Sequence, residues 1–358
     1  MEASSRFTTV IELADASVQR LDPSKLKWMW GEALYTWALH LLDEELGEDR
    51  YLPYICEYLD THLAKGYRVD QSDTMAPGLT AYAAYLRTGD EKYMQVVERV
   101  ADYLKRSKRV LDHMPNHLGS SPEGKLYPES IWVDSVMMYG VFTGWYGRTA
   151  PDDEIFDFAL CQPALFAEYL QDPEDKLFYH SYWTRRGHTW PKQKIYWGRG
   201  NGWVIAGLPL IIEHFESGSE EWQQAVVIFQ STSDALLPYQ RKDGFFETVF
   251  NRPGKTYVEA SATALIASGW MQGVAAGYLA EPYLAPGLKA FDAVLKSLEM
   301  KDGLLSMPMI SAPTIALPLI PYLGYKLTPR GNDWTYGLAS LFLAGLACRD
   351  LEKQDMLP

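Results

Sequence analysis

The segment Trp197-Gly198-Arg199-Gly200-Asn201-Gly202-Trp203 places two indoles, a guanidinium and an amide within seven residues, separated by three glycines. Glycine carries no side chain, so a bound molecule could approach this backbone closely. The spacing is not the Gly-x-Gly-x-x-Gly pattern of a dinucleotide loop, and no β-rich run precedes it. Flat indoles and planar hydrogen-bonding groups suit a sugar ring, so we predict a sugar-binding site. A helix start packed with aromatic residues is the alternative.

The same segment belongs to one of six predicted helices that start with a polar residue beside an aromatic residue or glycine. The six starts are Trp30–Glu32, Asp73–Gly78, Trp132–Asp134, Asn201–Trp203, Tyr257–Glu259 and Asn332–Trp334. Six amphipathic helices, predicted from apolar residues at three- and four-residue spacing, start near residues 5, 48, 90, 152, 219 and 284. The two kinds alternate, which predicts an all-α fold, an (α/α)6 barrel of inner and outer helices. A helical solenoid is the competing layout, but the segments lack a fixed period.

The length of 358 residues and the 47% of hydrophobic residues allow a sizeable core. No linker or abrupt change of composition divides the chain, so we predict a single domain over residues 1–358. The cysteines Cys56, Cys161 and Cys348 are odd in number and far apart, which favours reduced thiols. Residues 1–6 lack the apolar core of a signal peptide, and no run of about 18 apolar residues could span a bilayer. We therefore predict a cytoplasmic protein.

The formal net charge of -13 disfavours nucleic acid and anionic membranes as partners. The charge is unevenly spread, because no acidic residue lies between Asp175 and Glu213, and this cationic window contains Arg199. Such a window on an acidic protein predicts a small anionic ligand, although a solvated basic loop explains it equally well. The sequence contains no metal-ligand cluster, no Gly-x-Ser-x-Gly elbow and no P-loop, so we predict no metal site.

Asp134 is the strongest single candidate for acid–base chemistry. It lies in the apolar run 131–138, next to Trp132. Apolar surroundings disfavour a carboxylate and raise its pKa, as a general acid requires. Asp is also favoured at the start of a helix, so a capping role is the alternative reading of Asp134.

Other polar residues stand at positions that could contribute to the same site. Asp70 and Asp73 precede a predicted helix, where capping explains one of them and leaves the other as a second catalytic carboxylate. His180 is flanked by aromatic residues, a setting in which a histidine is more often structural. His117 belongs to the segment 115–130, which is rich in Gly, Ser and Pro and is expected to be an exposed, adaptable rim or lid.

Taken together, these segments resemble the unsaturated rhamnogalacturonyl hydrolases of glycoside hydrolase family 105 and the related unsaturated glucuronyl hydrolases of family 88. The resemblance extends from about Trp28 to the last helix. Its most specific part is the segment 197–203. The supporting motifs are Ile131-Trp-Val-Asp134, Leu177-Phe-Tyr-His180, Pro77-Gly78, Thr88-Gly-Asp-Glu-Lys-Tyr93 and Glu259-Ala-Ser-Ala-Thr263.

The resemblance implies an (α/α)6 barrel, no cofactor, and hydration of the enol ether in a 4,5-unsaturated uronic acid. It implies that Asp134 is the catalytic acid and that Asp73 is the second carboxylate. It also implies sugar contacts by His180, Arg199 and Trp203. To these substrate-binding candidates we add Trp30, Trp132 and Asn201. The expected partner is a short anionic oligosaccharide of rhamnogalacturonan type; the sequence does not indicate the oligomeric state.

The chain departs from the family before the catalytic segment. The usual Gly-Gly-Phe-Trp-His run is absent, and the chain reads Pro115-Asn-His-Leu-Gly-Ser-Ser-Pro-Glu-Gly-Lys-Leu-Tyr-Pro128 instead. Ser135 follows the acid where relatives often have Gly. We therefore expect the subsite beyond the cleaved bond to differ. A sugar epimerase on the same barrel and a non-catalytic sugar-binding protein are the alternative functions.

Overall fold

The computed structural model describes residues 3–150 and 152–357. Its helices are α1 (Ala3–Arg20), α2 (Trp30–Leu46), α3 (Leu52–Lys65), α4 (Ser72–Met75), α5 (Pro77–Thr88), α6 (Glu91–Arg106), α7 (Val141–Thr149), α8 (Asp153–Leu170), α9 (Gly198–Ile212), α10 (Glu220–Leu236), α11 (Ala260–Ala275), α12 (Leu284–Ser297), α13 (Pro321–Leu327) and α14 (Thr335–Lys353). The short helices α4 and α13 were not expected from the sequence. The single-domain prediction includes residues 1, 2, 151 and 358, which lie outside the described part of the chain.

The inner helices form a closed ring. Around the ring, α2 packs on α5, α5 on α7, α7 on α9, α9 on α11, α11 on α14, and α14 on α2. The outer helices α1, α3, α6, α8, α10 and α12 each pack on an inner helix. This is the predicted alternation, and the fold is an (α/α)6 barrel.

Burial explains which helices are inside. Every residue of α9 from Gly198 to Pro209 is buried, so this helix needs an apolar neighbour on all sides. The outer helix α6 instead buries one face, formed by Tyr93, Val96, Val97, Val100, Ala101 and Leu104. No helix within the described residues is long and apolar enough to cross a membrane.

Small antiparallel sheets connect the helices. Their strands are β1 (Arg109–Leu111), β2 (Met114–Pro115), β3 (Ser130–Trp132), β4 (Ser181–Trp183), β5 (His188–Trp190), β6 (Glu299–Lys301), β7 (Leu304–Ser306), β8 (Ile310–Ser311) and β9 (Arg330–Gly331). The sheet β3-β4-β5 pairs Trp132 with Ser181. It therefore brings the residues that follow β3 next to those that precede β4.

Candidate active site

A cavity of about 440 Å³ opens where the inner helices begin. It is lined by Met29, Trp30, Gln71, Asp73, His117, Leu118, Glu123, Leu126, Tyr127, Trp132, Asp134, Trp197, Arg199, Pro313, Thr314 and Ile315. Five of the eight predicted site residues are in this lining. The other three, His180, Asn201 and Trp203, are buried around it.

Asp134 is buried at the junction between β3 and α7. The amide of the preceding Val133 donates to the His180 carbonyl over 2.9 Å, which continues the β3–β4 pairing. The Asp134 carbonyl accepts hydrogen bonds from the amides of Met137 and Met138 and so begins a π-helical turn, Val136–Gly140. Such turns are frequent at functional sites. Oδ2 of Asp134 has no hydrogen-bond partner in the described part of the chain, so this oxygen caps no helix.

The pKa of Asp134 contradicts the expectation from sequence. Burial does act to raise this pKa, but the interaction with His180, together with smaller contributions from His117 and Arg199, outweighs burial and leaves the pKa below the usual value for Asp. The expectation of a raised pKa considered only the apolar neighbours in sequence. The contribution of His180 acts across the 3.4 Å between its Nε2 and Asp134 Oδ2.

Asp73 is the carboxyl whose pKa is raised. It belongs to α4, and burial together with the negative charges of Asp134 and Glu123 raises its pKa to about 8. The group is therefore mostly protonated at neutral pH. Asp70 does not line the cavity; its side chain accepts a hydrogen bond from Thr74 and lies 3.4 Å from Arg68. The geometry thus favours Asp73 over Asp70 as the second carboxyl.

His117 was expected on an exposed rim or lid and lies instead in the buried wall of the cavity. It is buried, stacks on Trp132 with ring centroids 4.4 Å apart, and places Nε2 3.5 Å from Asp73 Oδ1. Its Nδ1 lies 2.8 Å from Ser135 Oγ. Burial lowers the pKa of His117 to about 4, so its imidazole is neutral near pH 7.

The expectation of an exposed, adaptable segment 115–130 is wrong for most of its length. The His117 amide donates to the Ser130 carbonyl, and the His117 carbonyl accepts from the amide of Ser72. The Ser120 amide donates to the Asp70 carbonyl, and Asn116 Oδ1 accepts from the Ser130 amide within the segment. Apart from Ser120, the fully exposed residues of the segment are Pro122, Glu123, Lys125 and Leu126. Most of the segment is therefore a fixed wall of the cavity, and only these few residues are exposed.

His180 is held by rings on several sides. It stacks on Trp197 with centroids 4.3 Å apart and meets Trp132 edge-on at 5.1 Å. Its Nδ1 lies 2.9 Å from the hydroxyl of Tyr325, a residue of α13. No sequence signal indicated Tyr325, because α13 lies far along the chain and was itself not predicted.

Arg199 is fully buried, and its terminal nitrogens are already bonded. Nη1 donates to the Ser311 carbonyl over 2.9 Å, and Nη2 donates to the Ala312 carbonyl and to Thr314 Oγ1 over 3.0 and 3.1 Å. The guanidinium also lies 3.6 Å from Glu259. Arg199 therefore holds the segment 311–314, which forms part of the cavity wall, while its Nε is without a hydrogen-bond partner in the described structure.

The rest of the cationic window lies away from the cavity. Lys194 pairs with Asp172, Glu174 and Asp175, and Arg185 pairs with Glu129. Of the basic residues in this window, only Arg199 lines the cavity.

The remaining predicted residues divide between the wall and its support. Trp30 and Trp132 line the cavity. Trp203 lies behind Trp30, edge to face at 5.8 Å. Asn201 exchanges two hydrogen bonds with the backbone of Phe178 and donates a third to Trp197, so it fixes the chain that leads to His180.

The glycines of the segment 197–203 serve packing rather than access by a ligand. A Cβ at Gly198 would lie 2.6 Å from the Glu247 carbonyl oxygen, and one at Gly200 would lie 2.9 Å from Val133. Protein atoms thus occupy the space beside these glycines, where a bound molecule was expected.

Several buried polar atoms at the cavity have no hydrogen-bond partner in the described part of the chain. Those in or next to its lining are Gln71 Oε1, Asp134 Oδ2, His180 Nε2, Trp197 Nε1, Arg199 Nε and Trp203 Nε1. Buried polar groups without partners are costly, and a cluster of them is typical of a ligand site. Within the described residues, no group of three or more His, Cys, Asp or Glu is placed to hold a metal ion.

Comparison with known proteins identifies relatives along nearly the whole chain. The sequence model of Glycosyl Hydrolase Family 88 matches residues 5–351. The unsaturated rhamnogalacturonyl hydrolase YesR of Bacillus subtilis is 28% identical over 338 residues, which are 94% of this chain and 94% of that protein. An unsaturated 3S-rhamnoglycuronyl hydrolase of Alteromonas sp. is 26% identical over 162 residues, 44% of this chain and 39% of that protein. A family 105 glycoside hydrolase of C. acetobutylicum has the same fold, with a TM-score of 0.86 at 21% identity, and the match covers 95% of this chain and 99% of that one.

Proposed function

The chain belongs to glycosyl hydrolase family 88, and we propose that it removes a 4,5-unsaturated uronic acid from the non-reducing end of short rhamnogalacturonan-type oligosaccharides. The observation that carries this proposal is the pair of cavity carboxyls, Asp73 and Asp134, which differ in pKa and are surrounded by aromatic walls. Two titratable groups with pKa values driven apart are typical of acid–base catalysis.

In the proposed reaction, protonated Asp134 donates its proton to C4 of the unsaturated ring, which leaves oxocarbenium-like charge at C5. Water then adds at C5 while ionised Asp134 accepts a proton from it. The resulting hemiketal opens and releases the neighbouring sugar. Asp73, mostly neutral near pH 7, positions the water or the ring hydroxyls.

Asp134 has to carry a proton at the start of this sequence. The largest contribution that lowers its pKa comes from His180, whose Nε2 lies 3.4 Å from Asp134 Oδ2. Burial acts in the opposite direction and favours the protonated carboxyl. We therefore propose that Asp134 and His180 share one proton, and that the acid forms when the proton resides on Asp134.

A cytoplasmic location and a role late in polysaccharide degradation also belong to this proposal. A 4,5-double bond in a uronic acid is the product of a lyase, so a lyase must supply the substrate. The three cysteines form no disulfide, which fits a reducing compartment.

The test is to mix the protein with lyase-derived disaccharides and to follow the absorbance of the enol ether. We expect the absorbance to disappear as the sugar is released. Epimerase activity on saturated sugars, assayed in parallel, or binding of the disaccharide without turnover would favour one of the alternative functions.

A further inference from the structure

A second cavity, of about 330 Å³, lies at the opposite end of the barrel, and we call it the distal cavity. It opens between the inner helices α2, α9, α11 and α14, near the ends of α2, α9 and α14. Arg199 in the first turn of α9 lines the active-site cavity, whereas Glu213 at the end of this helix lines the distal cavity. Since an α-helix rises 1.5 Å per residue, the two cavities are about 20 Å apart along α9.

The carboxylates of the distal cavity stand where helix geometry disfavours them. Glu44 and Glu45 belong to the last turn of α2, and Glu213 caps the end of α9. Asp350 belongs to the last turn of α14. The C-terminal end of a helix carries partial negative charge and favours cations, yet the described lining contains no Lys, Arg or His. A sequence that breaks such a local rule is typical of a functional site.

Neighbouring basic residues neutralise only part of this negative charge. Two basic residues of α14 pair with Glu45. Glu213 lies 3.6 Å from His214, but burial lowers the pKa of His214 to about 4, so this imidazole is neutral near pH 7. Burial and the charge of Asp350 raise the pKa of Glu213 to about 7. Glu213 therefore lines the cavity without a charged partner among the described residues.

A buried hydroxyl in the wall of the distal cavity also has no partner. Ser268 of α11 is 3% exposed and lines the cavity, and its hydroxyl makes no hydrogen bond within the described part of the chain. The buried hydroxyls of Thr36 and Ser340, on α2 and α14, instead donate to backbone carbonyls of their own helices. Because buried polar groups are nearly always hydrogen-bonded, a free hydroxyl that lines a cavity indicates a ligand that bonds to it.

The rest of the lining indicates which cation fits. Its apolar members are Leu41, Leu210, Leu343, Leu346 and Ala347. Within the described residues, no three His, Cys, Asp or Glu are grouped to hold a metal ion. A cation with methylene groups suits this wall better than a bare ion, because its chain contacts leucine side chains while its charged ends meet carboxylates.

We propose that the distal cavity binds a linear aliphatic polyamine. One ammonium group would lie between Glu213 and Asp350, and a second would lie beside Glu44. The methylene chain would contact the leucines, and an ammonium N–H would donate to Ser268 Oγ. Such a ligand would join the ends of the inner helices and stabilise the fold. The proposal is independent of the reaction proposed for the active-site cavity.

The experiment measures Tm and, by isothermal titration calorimetry, the affinity for spermidine at pH 8, where Glu213 is mostly ionised. Saturating spermidine should raise the Tm of wild type by at least about 2 °C. NaCl or MgCl2 at the same ionic strength should raise it less, because neither salt supplies methylene groups. Glu213→Gln should weaken spermidine binding about fivefold or more, and Ser268→Ala about threefold. The control is Glu216→Gln, an exposed change outside the cavity, which should bind as wild type does.

Glu213→Gln also separates ligand binding from a structural role. Without spermidine its Tm should equal or exceed that of wild type, because it removes a carboxylate that Asp350 repels. The rise of Tm with spermidine should nevertheless be smaller in this variant. Three results would each overturn the proposal: no binding of spermidine by wild type, an equal rise of Tm with MgCl2, or equal affinities of Glu213→Gln and Glu216→Gln for spermidine.

Discussion

His180 Nε2 lies 3.4 Å from Asp134 Oδ2, and neither atom has a hydrogen-bond partner within the described residues. The other ring nitrogen, Nδ1, lies 2.9 Å from the Tyr325 hydroxyl. If Tyr325 donates to Nδ1, then Nε2 of the neutral ring carries its hydrogen and directs it at the carboxylate. If Nδ1 donates to Tyr325, then Nε2 is free to accept from protonated Asp134. The hydroxyl therefore influences which partner holds the proton.

The first prediction concerns Tyr325. Tyr325→Phe should lower kcat about three- to tenfold and shift the pH dependence of kcat, with KM nearly unchanged, because Nδ1 of His180 loses its partner. Tyr82→Phe, which removes a hydroxyl bonded to Thr149 away from the cavity, is the matched control. An identical pH profile in Tyr325→Phe and wild type would show that the hydroxyl does not influence the proton shared by His180 and Asp134.

The second prediction concerns Arg199. Arg199→Lys should raise KM about tenfold and lower Tm, because lysine cannot reproduce the planar fork that holds segment 311–314. Exposed Arg252→Lys is the control. Thr314→Val removes one hydrogen bond between Arg199 and segment 311–314 and keeps the charge of Arg199. If KM rises equally in Thr314→Val and Arg199→Lys, the rise is due to the position of segment 311–314. Unchanged KM and kcat in Arg199→Lys would exclude Arg199 from the site.

The third prediction concerns stability and pH. The pKa of Asp73 is raised to about 8 in the folded protein, so the folded state binds more protons than the unfolded state between about pH 4 and pH 8. The stabilising contribution of Asp73 is thus fully present below about pH 4 and lost as pH rises to about 8. Asp73→Asn should therefore gain stability relative to wild type with rising pH, by up to about 1.4 kcal/mol per pH unit in that window.

Thermal unfolding of both proteins from pH 5 to pH 9 measures this difference. Asp70→Asn is the control, since Asp70 lies three residues earlier and outside the cavity. A difference between Asp73→Asn and wild type that stays constant across this range would contradict a protonated Asp73 in the folded protein. Asp73→Asn should also lose activity, because Asp73 lines the cavity next to Asp134.

The fourth prediction concerns substrate length. The cavity of about 440 Å³ has the volume of a small-ligand site, so we expect action only at the non-reducing end and a preference for disaccharides and short oligosaccharides. Comparing kcat/KM for a disaccharide and a long lyase-treated polymer, at equal concentrations of unsaturated ends, measures this preference. Comparable turnover of the two would contradict a closed pocket.

The barrel could be predicted from sequence because each of its inner and outer helices carries its own signal, whereas the short helices α4 and α13 carry none. The start of the inner helix α9 and the amphipathic face of the outer helix α6 are both local sequence patterns. The alternation of these two kinds of helix along the chain predicts the topology. The surroundings of individual side chains could not be predicted in the same way. The neighbours that lower the pKa of Asp134, His180 and His117 above all, come from other segments of the chain. The pairing of β3 with β4 and the hydrogen bond from His117 to Ser130 bring them together. For the same reason, His117 and Tyr325 carried no sequence signal of their place in the site.

The central claim is that Asp134 exchanges protons with an unsaturated uronic acid. The direct measurement is the rate at which the enol-ether absorbance of an unsaturated uronyl-rhamnose disappears, with wild type, Asp134→Asn and the control Asp70→Asn. We predict that wild type and Asp70→Asn consume the disaccharide at similar rates. Asp134→Asn, folded to the same extent, should retain less than about a hundredth of that rate, because general acid–base catalysis typically contributes 10²–10⁴-fold. Retention of more than about a hundredth of the wild-type rate by Asp134→Asn would contradict the account.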